Sequence, residues 1–185
     1  MKKICCALIA LVLAAVACDQ QFSTGGPTSE YKPVPVSSQS AASLTSKIAS
    51  LAAATGEVTL SITEAEMTSY LVQQLSQQQG DVTINDPQAY FRDGKMKLYA
   101  KIISPNLTAN ALIVINATIN NGQLALNIEK ADVGPFPVSN DLLSKLTSLI
   151  NDQLLATLSK LPKGVKIKTV TLADGAMTIT ATISR

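Results

Sequence analysis

The chain has no histidine, and its three cysteines, Cys5, Cys6 and Cys18, all fall within the first eighteen of 185 residues. The usual general base is therefore missing. So are a thiol nucleophile and most zinc sites in everything that follows Cys18. Nor is charge of one sign in excess. The formal balance is 15 Lys plus Arg against 13 Asp plus Glu, and it becomes even once Lys2 and Lys3 are set aside, so bulk basicity gives no reason to expect nucleic acid as a partner. The apolar run Ile4–Ala17 is shorter than the roughly 20 residues a membrane-spanning helix needs. Calcium-loop spacing is absent, and neither Gly25-Gly26 nor Gly122 sits in a phosphate-cradling sequence, so no cofactor and no metal are expected.

What is present at the start is an export signal: Met1-Lys2-Lys3, the short apolar run, then small residues before Cys18. Ala15-Val16-Ala17-Cys18 resembles a lipobox, in which cleavage before the cysteine exposes it for lipid attachment. It departs from the pattern at Ala15, where Leu, Ile or Val is usual. Ala15-Val16-Ala17 also suits an ordinary signal peptidase, whose product would be a secreted protein with a free thiol. The expectation is a signal over 1–17 and lipidation at Cys18, which would hold the chain on the outer side of the cytoplasmic membrane or in a periplasm. Removing the leader takes Cys5 and Cys6 with it and leaves no intramolecular disulfide.

Residues 18–40 are rich in Ser, Thr, Gln, Gly and Pro, which predicts a mobile tether with a random-coil reach of roughly 25 Å. Residues 41–185 are one domain's worth of chain. Leu44, Ile48 and Leu51 predict a first helix over 41–54, and the alternation of Val58, Leu60 and Ile62 predicts a strand. Thr63-Glu64-Ala65-Glu66 is a capping box opening a second helix to about Gln79, striped by Met67, Leu71 and Leu75 with Tyr70 beside them. Strands follow: Met96 to Ile102, a long segment from Leu107 to Ile119, and Leu124 to Ile128 after a hairpin turn at Asn121-Gly122. The stripe Leu142, Leu146, Leu149, Ile150, Leu154 and Leu158 predicts a long helix over 139–161, closed by Pro162 and Gly164. Two strands around Asp174-Gly175 end the chain.

An internal echo connects these parts. Residues 91–102 align with 172–183, so that Asp93-Gly94 matches Asp174-Gly175, Met96 matches Met177, Ala100 matches Ala181 and Ile102 matches Ile183. Each copy follows an amphipathic helix. The echo reads as two helix-plus-hairpin modules, or as the chance likeness of two Asp-Gly hairpins.

Thr-Glu-x-Glu-Met at a helix start, an Asp-Gly hairpin, a long hairpin turning at Asn-Gly, Val-Gly-Pro-Phe-Pro-Val before a Leu-rich helix, and a closing Ala-Asp-Gly hairpin resemble the LmeA-like phospholipid-binding proteins. These are similar in turn to the tubular lipid-binding (TULIP) superfamily. The resemblance spans roughly 57–185. It implies an α+β fold in which a strongly curved antiparallel sheet wraps a long C-terminal helix, with additional N-terminal helices and an apolar cavity for acyl chains. It implies no catalytic residues.

The candidate cavity residues are Met96, Leu98, Ala100, Ile102, Ala109, Ala111, Ile113, Ile115, Leu146, Ile150, Leu154, Ile179 and Ala181. Small alanines among large aliphatics on one sheet face leave room for a void that prefers hydrocarbon to water, or else let a helix approach closely with no void at all. Lys97, Lys101, Lys166 and Lys168 are candidates for headgroup or membrane contact, or a solvated face guarding an edge. Glu64 and Glu66 read as acids complementing a helix dipole rather than as a catalytic pair. The sequence thus points to a non-enzymatic lipoprotein binding a phospholipid, fatty acid or other apolar ligand; the alternative is a structural or adaptor lipoprotein with a solid core that binds an unidentified envelope protein.

Overall fold

A computed structural model describes residues 25–76, 81–105, 107–134, 141, 144, 145, 147, 148, 164–173 and 175–184. The order is α1 (Ser38–Ser50), β1 (Gly56–Thr63), α2 (Glu64–Leu75), β2 (Thr83–Arg92), β3 (Lys95–Ser104), β4 (Leu107–Asn120), β5 (Gln123–Val133), β6 (Val165–Ala173) and β7 (Ala176–Ile183). The fold is α+β, as expected. Its strands form two antiparallel sheets, β1-β7-β6 and β2-β3-β4-β5, where one curved sheet was expected. The expected helix over 139–161 lies largely outside the described residues; Asp141, Ser144, Lys145, Thr147 and Ser148 within it are helical.

Local chemistry sets the boundaries. Ser37 caps α1 by accepting the Ser40 N–H at 3.0 Å, so the helix begins at Ser38, three residues before the expected start, and Ala41, Leu44 and Ile48 form its buried face. Thr63 and Glu66 form the expected capping box on α2, each side chain accepting the other's backbone N–H. Asp93 and Gly94 (φ +56° and +72°) and Asn121 and Gly122 (φ +52° and +77°) take the left-handed conformation that two-residue hairpins require.

Three bulges explain where strict alternation fails. In β6, Lys168 is the extra residue between Ile167 and Thr169, so inward positions change from Val165 and Ile167 to Val170 and Leu172. Glu129 plays that part in β5. In β2, Asp86 (φ +48°) and Pro87 interrupt the register between Asn85 and Gln88. Asp86-Pro87 is thus a bulge inside a strand.

β2 is an edge, and α2 satisfies it. Thr68, buried, accepts the Ala89 N–H at 3.0 Å, and Glu64 accepts the Phe91 N–H at 2.8 Å while pairing with Arg92. Among the described residues, two backbone hydrogen bonds tie the sheets together. Ile167 donates its N–H to the Gly122 carbonyl at 2.8 Å, and Gly175 donates to that of Phe91 at 3.3 Å. Both apolar faces share one core with α1 and α2.

Part of the segment expected as tether is packed against the fold. Residues 25–37 run as a strap along the four-stranded sheet. The Tyr31 ring lies 4.9 Å from Tyr90 and 6.4 Å from Tyr99, its hydroxyl accepts from Lys97 at 3.0 Å, and Arg92 and Lys97 stand over its face. Val34 donates its N–H to Gln88 at 2.7 Å, and Tyr90 donates its hydroxyl to the Lys32 carbonyl at 3.2 Å. Composition misses this because only two half-buried residues, Tyr31 and Val34, supply the anchors in an otherwise polar stretch, while Val36 stays exposed.

Candidate functional site

β3 and β4 carry most of the expected cavity residues as cross-strand partners: Met96 with Ile115, Leu98 with Ile113, Ala100 with Ala111, and Ile102 with Ala109. All eight are buried, as are Ile179 and Ala181 on the central strand of the other sheet. Leu146, Ile150 and Leu154 lie outside the described residues.

Of these, Met96 and Ile115 face an apolar pocket of about 30 Å³. Leu44 and Ile48 of α1, Ile62 of β1, and Met67 and Tyr70 of α2 form one side. Ala117 of β4, Leu124 and Leu126 of β5, Leu172 of β6 and Met177 of β7 complete it. Every described element except β2 therefore contributes, and no polar surface faces the interior among the described residues. The sequence placed these side chains in the core without assigning most of them to a cavity. The echo of Met96 in Met177 was the signal that linked them.

The volume matters. A pocket enclosing a small molecule measures about 300–1,000 Å³. This one is about a tenth of the lower figure.

The carboxylates beside the pocket are structural. Glu66 is buried and accepts from Lys47 at 2.8 Å, Ser43 at 2.6 Å and the Thr63 N–H at 3.0 Å. Burial pushes its carboxyl up, but these hydrogen bonds outweigh burial and hold it at about 2. Lys47 also donates to the Ser61 carbonyl, so one node joins α1, β1 and α2 next to Leu44, Ile48, Ile62 and Met67.

The four candidate headgroup lysines do not form one patch. Lys97 is engaged by Asp93 at 2.7 Å and by Tyr31, which raise its pKa; Lys168 is paired with Glu57 at 2.6 Å on the other sheet. Lys101 borders a cleft of about 240 Å³ under the strap, together with Thr28, Asp86 and Asn110. Lys166 lies over the β4–β5 turn at Gly122. Neither Lys101 nor Lys166 has an ion-pair partner among the described residues.

No curated protein and no solved structure matches the chain significantly. A family model does: the one for LmeA-like phospholipid-binding proteins, over residues 15–182. That match runs through both sheets, α1, α2 and every pocket-lining residue among those described. The chain belongs to the LmeA-like phospholipid-binding family.

Proposed function

We propose that this protein is a membrane-anchored extracytoplasmic lipoprotein that holds a phospholipid by its acyl chains in the apolar interior between helices and sheets, without catalysing a reaction on it. The observation that carries the reading is the wholly apolar pocket on which both sheets and both helices converge, in a chain of a phospholipid-binding family. Hydrocarbon moved from water into such surroundings gains about 0.8 kcal/mol per buried methylene. Anchoring rests on Cys18, which stands seven residues before the start of the strap at Gly25. Seven extended residues reach at most roughly 25 Å, which would keep the domain at the bilayer surface.

Two experiments test this. Native mass spectrometry of the chain from Cys18 onward, carrying Cys18→Ser, should show stoichiometric phospholipid after incubation with vesicles of phosphatidylglycerol and phosphatidylethanolamine. An unliganded mass under all conditions would overturn the reading in favour of a solid-core adaptor. Metabolic labelling with an alkyne fatty acid should mark the full chain and not its Cys18→Ser variant. Equal labelling of the two would remove the anchor from the proposal.

A further inference from the structure

All three methionines downstream of Met1 line the same pocket: Met67 from α2, Met96 from β3 and Met177 from β7. They come from three elements, two of them in different sheets, and Met96 and Met177 hold equivalent places in the echoed hairpins. Each is buried, at 5%, 3% and 5% exposure. Leucine, isoleucine and alanine make up most of the rest of the core. Methionine differs from them in being unbranched, with three rotatable side-chain bonds and a polarisable sulfur, so it changes shape at low cost. An isoleucine of similar size is stiff at χ1.

The pocket cannot take an acyl chain at about 30 Å³. Its wall has to yield, and the yielding side chains are gathered at this one place. We propose that Met67, Met96 and Met177 form the adjustable wall of a site for a single acyl chain, which gains its volume by rotating these three side chains while the two sheets keep their register. This rests on the phospholipid-binding reading above and adds where the chain lodges and which residues admit it.

The test uses the chain from Cys18 onward with Cys18→Ser, labelled at the methionine methyls with ¹³C and titrated with monomeric dihexanoyl phosphatidylglycerol. A parallel titration with glycerophosphoglycerol, which carries no acyl chain, serves as the control. The three core methyl signals should move together along one saturation curve with the phospholipid and stay fixed in the control. Met67→Ile with Met177→Ile should lower affinity roughly tenfold, about 1.4 kcal/mol. Met67→Leu with Met177→Leu keeps volume and more side-chain freedom, and should retain most of the affinity. If the isoleucine pair fails to fold, the methyl titration of the unsubstituted chain still decides. Phospholipid bound by mass spectrometry with all three methyls unmoved would overturn this proposal and leave the functional reading intact. No phospholipid bound at all would overturn both.

Discussion

Lys47 sets its ammonium 2.8 Å from the carboxylate of Glu66, joining α1 to the first turn of α2 beside the pocket-lining Ile48 and Met67 in sequence. The Glu66 side chain is 9% exposed and that of Lys47 38%, so one partner is buried and the other reaches water. Removing the buried charge leaves hydrogen-bond donors from Lys47, Ser43 and Thr63 without their acceptor.

This gives a pH dependence with a definite sign. The folded-state pKa of Glu66 is lowered from 4.5 to about 2, so its contribution is complete above pH 4.5 and disappears as pH falls towards 2. The expected loss across that window is about 3 kcal/mol. Glu66→Gln should be destabilised by a similar amount at neutral pH and show a flatter acid limb, read by urea unfolding at stepped pH. An unchanged acid limb would remove Glu66 from the account.

Thr68→Val tests how β2 is closed. The substitution keeps shape but takes away the acceptor of the buried Ala89 N–H, so a cost of about 1–3 kcal/mol is expected. Thr68→Ser should recover most of it in the same denaturation experiment. A neutral valine would mean the edge amide finds another partner.

Neighbouring glycines test the strap. A Cβ at Gly26 would lie 2.5 Å from the Asn110 carbonyl oxygen, whereas one at Gly25 would meet nothing within 4 Å. Gly26→Ala should therefore speed amide exchange at Val34 and Ser37, which donate to Gln88 and Ser69, and Gly25→Ala should leave it unchanged. Equal effects would mean that the strap is not seated at Gly26.

A second matched pair tests the sheet β1-β7-β6. Gly164 and Gly175 have φ of +97° and +95°, but only at Gly164 would a Cβ strike backbone, 2.1 Å from the Ser184 carbonyl oxygen. Gly175→Ala should cost about 1–2 kcal/mol for its conformation alone, and Gly164→Ala clearly more, by thermal unfolding.

For the lysines, charge reversal at Lys166 and Lys168 should leave flotation with phosphatidylglycerol vesicles unchanged, since Lys168 is committed to Glu57 and the pair sits apart from Lys97 and Lys101. A severalfold loss would make this edge a headgroup surface.

Whatever depends on near neighbours was legible in the order of the residues. The Thr63–Glu66 capping box, the turns at Asp93-Gly94 and Asn121-Gly122, and the alternation that buries Met96 to Ile102 and Met177 to Ile183 are settled within a few residues of chain, because caps, φ preferences and side-chain direction are local properties. Only the tertiary structure decided the division into two sheets, the bulges at Asp86, Glu129 and Lys168, the docking of Tyr31 on Tyr90 and the meeting of Met67, Met96 and Met177 at one pocket. Each of these joins residues far apart in the chain. Their free energy comes from apolar surface and hydrogen-bonding groups that meet only once the chain has folded, so a residue's own neighbours carry no record of them.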